Sequence, residues 1–332
     1  MKVHFLTTDL KTISETANFL ALWEDENDSI DQLTSGSTGT PKKIKINKNL
    51  MRASARMTGA FFNLAKGQTA LLCISPEFIG GKMMVVRSIE FELEIYATEI
   101  SSTPLKNLNQ PIDFAAMVPM QVSETLTHHP EKLNLIRNLI IGGAPVSKKL
   151  EIALQSINCT AYSTYGMTET ISHIALKKLN NQNEPFKAIG ETSFSIKNEC
   201  LVIKAPDLLI NDLETSDVVK LLNNREFQWV GRNDFVINSG GIKIHPEVVE
   251  RKLNSLFPKE EFIISGEPDK SLGTRVILIA EEKLKPLINR GIMKSILERH
   301  ENPKSIYFVK ELSRRASGKI DRKTTLDRLN GY

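Results

Sequence analysis

Between residues 50 and 166 the apolar residues switch repeatedly between two periods, and this alternation constrains the fold more than any other feature of the chain. Leu50, Ala53, Met57, Ala60, Phe61 and Leu64 recur at helical spacing, and ALLCIS just after them reads as a short buried strand. The pattern then repeats: a helix over 81–89, a strand over 93–97, the strand DFAAMVP, the helix MQVSETLTHH, the strand IRNLIIGG, the helix VSKKLEIALQSI and the strand CTAYSTYG. Such units predict a mostly parallel sheet covered by helices. Ligands of these sheets gather at the carboxyl ends of the strands. Two glycine-bearing segments fall there, one with Gly142, Gly143, Ala144 and Pro145, the other YGMTE from Tyr165.

From about Asn198 the texture becomes strands and turns, with CLVIKAP followed by a hairpin of DVVKLL, NN and EFQWVG. Past Gly231 it changes again: a helix marked by Val248, Val249, Leu253 and Leu256, the pairable strands EFIISG and RVILIAEE, and a helix in LINRGIMKSILERH. The expected fold class is α/β. A large N-terminal domain over 1–232 carries the mostly parallel sheet and a β-rich end from about 198. A small α+β domain occupies 233–332.

Composition narrows the function. The 332 residues are 41% hydrophobic and 25% charged, as in a soluble globular protein with well-filled cores. A net charge of only +4 gives no global case for nucleic acid, and aromatic interleaving beside the basic stretch RRASGKIDRK is limited to Tyr307 and Phe308. Cys73, Cys159 and Cys200 are too few and too scattered for a metal site or a disulfide framework, which fits reduced thiols in a cytosol. No run approaches the roughly 20 apolar residues of a membrane span, so a cytoplasmic protein without membrane insertion is expected.

The segment TSGSTGTPK, residues 34–42, crowds hydroxyls, glycines and a lysine into one loop. Backbone N–H groups, hydroxyls and an ammonium together suit a phosphate chain. A nucleotide-hydrolase P-loop is excluded, because Pro41 breaks its spacing and KKIKI after it alternates like a strand. A glycine-rich loop between two strands remains.

This loop, YGMTE, TSDVV, GRNDFVINSGGIKIHPEVVE and SGKIDRK follow one another in an order that resembles the adenylate-forming enzymes: acyl-CoA synthetases, nonribosomal adenylation domains and luciferases. The resemblance spans about residues 30 to 327. It implies an enzyme that joins a carboxylate to the α-phosphate of ATP with Mg²⁺, releases pyrophosphate, and lets the thiol of coenzyme A displace AMP. It implies that Thr34, Ser35, Gly36, Ser37, Thr38, Gly39 and Lys42 cradle the β- and γ-phosphates. Tyr165, with Thr164 and Gly166, flanks adenine opposite Gly143, Ala144 and Pro145. Thr168 reaches the α-phosphate and Glu169 gives oxygen to Mg²⁺. Asp217 accepts from the ribose hydroxyls with Arg232 alongside, although Ser216 stands where the family has glycine. Lys319 is the catalytic cation of adenylation. Asp234 is the hinge about which the small domain swings, bringing Ser239, Gly240 and Gly241 to the thiol channel and Lys243 to the coenzyme A phosphates.

Within the family, VPMQ, IIGGAPVS and above all STYGMTETISHIAL resemble the o-succinylbenzoate–CoA ligases of menaquinone biosynthesis. The phosphate loop begins about thirty residues in, so part of the usual large domain is expected to be minimal. A diacid substrate needs a group that holds its second carboxylate apart. Lys82, Arg87 and His173 are the candidates, against the alternatives of a solvated lysine, an Arg87–Glu90 pair one helical turn apart and a core histidine. Phe78 falls where relatives have a histidine and would gate entry with an apolar ring. Other readings stay open: a ligase for another aryl or acyl acid, an enzyme charging a carrier protein, or a non-catalytic nucleotide-binding module. The sequence sets no oligomeric state.

Overall fold

In the computed structural model, which describes residues 2–33, 43–181, 184–254, 256–257, 261–314 and 320–330, the apolar runs become strands buried on both faces. The strands of the first half are β1 (Lys2–Phe5), β2 (Ser29–Leu33), β3 (Lys43–Asn47), β4 (Thr69–Leu72), β5 (Glu94–Ala97), β6 (Ile112–Met117), β7 (Ile136–Ile141) and β8 (Thr160–Gly166). Six of them pair in parallel in the order β1-β5-β4-β6-β7-β8, while β2 and β3 form a separate antiparallel ribbon. Ala70, Leu72, Phe114 and Ala116 enter the core beneath α1 (Leu10–Glu24), α2 (Lys48–Phe62) and α3 (Ile79–Glu90). Leu71, Cys73, Ala115 and Met117 enter the core beneath α4 (Pro119–His128) and α5 (Lys148–Ala153). Successive side chains of a strand point to opposite faces, so two covered faces require continuous apolar runs.

The chain leaves β4 through α3 to β5 on one side, then returns to lay β6 on the other. Strand order therefore reverses between β4 and β6, the place where open α/β sheets leave a crevice. The buried Gln121 fills its floor: Nε2 donates to the carbonyls of Cys73 (2.8 Å) and Ser101 (3.0 Å), and Oε1 accepts from the N–H of Val118 (3.1 Å).

The sheet is mixed rather than mostly parallel. Beyond β8 it continues through β9 (His173–Lys178), β10 (Phe186–Ala188), β11 (Ser193–Lys197), β12 (Cys200–Ala205), β13 (Ile210–Asn223) and β14 (Glu226–Arg232), all antiparallel, in the order β8-β9-β10-β14-β13-β12-β11. The tight turn between β8 and β9 is too short for a crossover helix, so β9 must run back beside β8. The β-rich segment thus extends the main sheet.

A second sheet begins after the 3₁₀ turn Asn233–Phe235. Its strands are β15 (Ile237–Ser239), β16 (Ile242–Ile244), β17 (Phe262–Asp269), β18 (Gly273–Glu281) and β19 (Ser305–Val309), ordered β16-β15-β18-β17 with β19 parallel to β18. With α6 (Pro246–Leu253), α7 (Arg290–Ile296) and α8 (Arg322–Asn330) it makes a small α+β unit whose core holds Val249, Leu253, Phe257, Ile264 and Leu278. Helix α7 is shorter than its apolar pattern, because the Asn289 side chain caps Gly291 and Ile292 and Leu297 is already extended. Helix α1 escaped the sequence pattern because two of its buried positions are Thr12 and Thr16, the second satisfied by the Thr12 carbonyl at 2.8 Å. Among the described residues no helix is long and apolar enough to cross a membrane.

Helix α3 starts hard against the loop that leaves β4. A Cβ on Gly81 would stand 2.3 Å from the Ser75 carbonyl oxygen and 2.4 Å from that of Ile74, both backbone atoms. Gly81→Ala is therefore expected to cost about 1–3 kcal/mol, as overpacking does, read as a lower urea midpoint at unchanged m-value.

Candidate nucleotide and acid site

Four of the connections at the carboxyl edge of the parallel strands frame the candidate site. Ser75 to Phe78 lead into α3, and Val118 leads into α4. Gly142, Gly143, Ala144 and Pro145 follow β7, with Gly143, Ala144 and Pro145 exposed; Thr164 Oγ1 ties this loop to β8 through the Ile141 carbonyl (3.3 Å). Met167 to Ser172 follow Tyr165 and Gly166 at the end of β8.

Tyr165 anchors one end of the site. Its ring meets Phe227 edge-on (centroids 5.0 Å apart) and Phe186 (5.8 Å), and its hydroxyl donates to Asp217 Oδ2 at 2.7 Å. Burial, reinforced by the Asp217 charge, pushes the phenol far above its ordinary range, so it stays a donor at any working pH. Asp217 Oδ1 accepts from the Trp229 indole N–H at 3.1 Å. Asp217 is buried, and each of its carboxylate oxygens keeps a second lone pair beyond these two bonds. Arg232 stands opposite Asp217 in the β13–β14 pairing; its guanidinium donates to Ser216 and to Asp234 (2.6 Å). Serine at 216 therefore serves as an acceptor for Arg232.

The turn after β8 is strained. Ile171 has φ 65° and ψ −54°, left-handed backbone that a β-branched residue rarely adopts, and Ser172 N–H bonds to the Thr170 carbonyl at 2.6 Å, closing a γ-turn. Thr170 Oγ1 locks it by accepting from Met167 N–H (2.9 Å) and by lying 2.8 Å from the Ser172 carbonyl. The strain aims Ser172 inward. There Arg87, 1% exposed, donates to Ser172 Oγ at 3.0 Å.

Arg87 is the least expected feature. The helical Arg87–Glu90 pair does not form, because Glu90 is taken by Arg52 (2.9 Å) and Arg56 (2.7 Å). The guanidinium lies instead over the Phe114 ring (6.0 Å), with one N–H toward Met84 Sδ (3.8 Å) and Nε unpartnered. Among the described residues it has no carboxylate partner. Burial pushes it down to about 9, so it remains charged at neutral pH.

His173 is a buried, satisfied histidine: Nε2 lies 3.1 Å from Thr58 Oγ1 and Nδ1 lies 3.4 Å from Ser172 Oγ. Burial, with Arg87 adding to it, holds its pKa well below 6.5, so it is neutral and supplies no charge to a substrate. Lys82 is not solvated. Its buried ammonium donates to Gln32 Oε1 (2.8 Å) and the Glu77 carbonyl (3.0 Å), tying α3 to the strand that leads into residues 34–42. Phe78 caps α3 with its ring 63% exposed.

Thr34, Ser35, Gly36, Ser37, Thr38, Gly39, Lys42 and Lys319 lie outside the described residues. Arg314 and Ile320 form a β-bridge, and Asp321 N–H donates to the Ser313 carbonyl at 2.7 Å. Arg322 then pairs with Glu250 (2.5 and 2.7 Å) and stacks on Phe235 (5.1 Å) beside Asp234. Gly240 and Gly241, both at positive φ, make the two-residue turn of the β15–β16 hairpin after Ser239, so the turn itself demands them. Lys243 is ion-paired with Glu199 of the main sheet.

Sequence reasoning missed Ser172, Thr58, Gln32 and Trp229. Only Ser172 carried a signal, by lying just past YGMTE; the others reach the site through tertiary packing.

A large mixed sheet wound on both faces, with its strand order reversing between β4 and β6, and a small α+β unit following it make the fold of an adenylate-forming enzyme. The family model described as AMP-binding enzyme matches residues 22–205, and the chain belongs to that family. The 2-succinylbenzoate–CoA ligase of Lactococcus lactis is 26% identical over 364 residues, covering 96% of this chain and 78% of its own length. An acyl-CoA synthetase (AMP-forming)/AMP-acid ligase II-like protein from Dyadobacter fermentans is 32% identical, with 97% of this chain and 95% of that one covered at a TM-score of 0.63. The fold also matches the O-succinylbenzoate coenzyme A synthetase of Bacillus subtilis in complex with ATP and magnesium ion, at a TM-score of 0.75 and 20% identity over 90% of this chain and 69% of that one.

The buried neutral His173 makes a pH prediction. On unfolding its imidazole regains a pKa near 6.5, so below that pH the unfolded chain binds a proton that the folded chain does not. Stability should fall as pH drops through that value, by up to about 1.4 kcal/mol per pH unit for this one proton. Urea melts between pH 7.5 and 5.5 should show a shallower dependence of stability on pH for His173→Gln; equal slopes would mean that the imidazole takes up its proton in the fold over the same pH range as in the unfolded chain.

Proposed function

We propose that the chain is an ATP-dependent acid–thiol ligase that adenylates o-succinylbenzoate and transfers the acyl group to coenzyme A, serving menaquinone synthesis in the cytoplasm. The observation that carries the substrate is Arg87. A guanidinium buried without a counter-charge is costly unless an anion joins it. Ser172 Oγ accepts from Arg87 and lies 3.4 Å from Nδ1 of the neutral His173, whose Nε2–H is given to Thr58, so the Ser172 O–H points to that nitrogen; a carboxylate at Ser172 draws the O–H away from His173 and gains the field of the cation behind it. This is a seat for the aromatic carboxylate of a diacid, with the succinyl carboxylate left for reaction. The names of the relatives support the same choice.

Activation brings two anions together, so the chain's work is positioning and charge neutralisation. Residues 34–42 hold the β- and γ-phosphates with N–H groups, hydroxyls and Lys42. Tyr165 and the Gly143 to Pro145 loop flank adenine, Asp217 takes the ribose hydroxyls, and Thr168 reaches the α-phosphate. Lys319 balances the charge as a carboxylate oxygen of the acid bonds to the α-phosphorus and pyrophosphate leaves. Glu169 would hold Mg²⁺: its exposed side chain makes no hydrogen bond or ion pair among the described residues, and a hard carboxylate oxygen suits that ion. The ion would neutralise phosphate charge beside this carboxylate; among the described residues no cluster of three metal-ligating side chains stands elsewhere to hold it. In the second step the small unit swings about Asp234, Lys319 withdraws, and the Ser239 to Gly241 turn faces the thiol, whose sulfur bonds to the acyl carbon as AMP departs. Lys243 must first leave Glu199 to meet coenzyme A phosphates.

Pyrophosphate release with ATP and Mg²⁺ should require o-succinylbenzoate, with benzoate and a fatty acid inactive, and coenzyme A should yield the thioester by mass. Another acid working equally well would overturn the substrate assignment. Arg87→Met should raise KM for the diacid by about 10- to 100-fold, the worth of a charge-assisted bond, with KM for ATP unchanged; a matching rise for ATP would instead mark a folding defect. Lys319→Ala should lose at least about 100-fold in adenylation while still converting supplied acyl-adenylate to thioester.

A further inference from the structure

Trp229 stands between the ribose carboxylate and the small α+β unit. A register shift in the β13–β14 pair sets Val218 opposite Gly231 but Val219 opposite Trp229, which leaves Val230 as an extra residue. With strict alternation Trp229 would point to the far face. The bulge turns it to the face of Asp217 and Val219, where its indole N–H reaches Asp217 Oδ1 at 3.1 Å. The same residue is gripped from the small unit. Arg251 of α6 donates to the carbonyls of Trp229 (3.1 Å) and Val230 (2.9 Å), and its guanidinium lies 5.7 Å from the indole ring. Beside it Glu247 Oε1 accepts from Arg232 N–H at 3.3 Å, and Gly231 leaves the space that the Glu247 carboxylate occupies.

We propose that Trp229 is a positioning residue that couples occupancy of the ribose subsite to docking of the small unit, which rests on the reading of Asp217 as the ribose acceptor. The indole N–H fixes the rotamer of the carboxylate that ribose hydroxyls must meet. Ribose hydroxyls add to the donors on that carboxylate, so nucleotide binding alters the indole hydrogen bond, and Arg251 senses the change through the ring and the two carbonyls. Release of Arg251, as the small unit swings, in turn loosens the ribose seat. Val230, the extra residue of the bulge, makes this a connection that slides without breaking the ladder on either side.

The sequence holds two tryptophans, Trp23 and Trp229, so Trp23→Phe leaves Trp229 as a lone fluorophore. In that background AMP should change Trp229 emission with the dissociation constant that calorimetry gives. Trp229→Phe should weaken AMP about tenfold, and Arg251→Met should shift AMP affinity by about two- to fivefold although Arg251 touches neither Asp217 nor Tyr165. The effect of Arg251→Met should vanish once residue 229 is phenylalanine. An equal Arg251 effect in both backgrounds, or AMP binding without an emission change, overturns the coupling. Should Trp229→Phe fail to fold, the emission titration in Trp23→Phe with and without Arg251→Met decides alone: coupling requires a different amplitude in the two. Asp217→Asn separates the levels, since unchanged AMP affinity there removes the ribose reading itself and the coupling with it, whereas weakened affinity with additive Arg251 and Trp229 effects removes only the coupling.

Discussion

A guanidinium kept charged inside an apolar core is the constraint around which the proposed acid site is built. Removing such an ion from water costs several kcal/mol even after relaxation, and the described residues return to Arg87 only a serine oxygen, a thioether and an aromatic face. Neighbouring features answer to that cost. His173 stays neutral, which avoids a second buried cation. Glu90, the nearest acid on the same helix, is drawn outward by Arg52 and Arg56 and does not quench the charge. The γ-turn at Ile171 stores strain to hold Ser172 at the guanidinium, and strain of that kind persists only where surrounding bonds over-determine it, here through Thr170. A fold selected for stability alone would have placed an apolar residue at 87.

The second organising element is the β13–β14 hairpin, which belongs to the main sheet yet bears the small unit on its end. Asp217 and Arg232 face each other across it, the bulge at Val230 re-aims Trp229, and the turn Asn233–Phe235 follows at once. Phe235 carries Arg322, three residues past Lys319, while Glu250 on α6 binds the same arginine. Arg322 is thus braced against the turn between the two sheets, while Ile320, Leu326 and Leu329 beside it pack on the Ile263, Ile277 and Ile279 face of the small unit's own core.

How legible this was follows from which interactions are local. The α/β core could be read because each strand buries two faces and each helix one stripe, so period and run length carry the information; Leu71 and Leu72 enter opposite cores one residue apart. The direction of β9 was not readable from period, since direction depends on connection length and only the turn after Gly166 decides it. Tyr165, Asp217 and Arg232 were found through motif order, and the structure brings them together. Lys82 and Arg87 were singled out for their charge, but their partners Gln32 and Ser172 lie 50 and 85 residues away and leave no mark in local spacing. Trp229 was invisible for a sharper reason. In an unbroken ladder its side chain would face away from Asp217, and a one-residue bulge has no signature in a run such as EFQWVG.

The contacts that hold the small unit in its present orientation differ in kind from those of the cores. Lys243–Glu199 joins side chains that are 56% and 60% exposed, a surface pair that contributes little and is screened by salt. Arg251 adds two hydrogen bonds to carbonyls that water could serve equally well, and an indole face at 5.7 Å. Neither contact buries an apolar surface comparable to the Val249 and Leu253 side of α6, which faces the small unit's own core. Polar, exposed contacts exchange with water at little net cost, so the docked orientation is a shallow minimum by construction. A firm core with a shallow dock is what the proposed two-step reaction asks of the small unit, and the proposed coupling places the control of that dock at the bulged hairpin from which the unit springs.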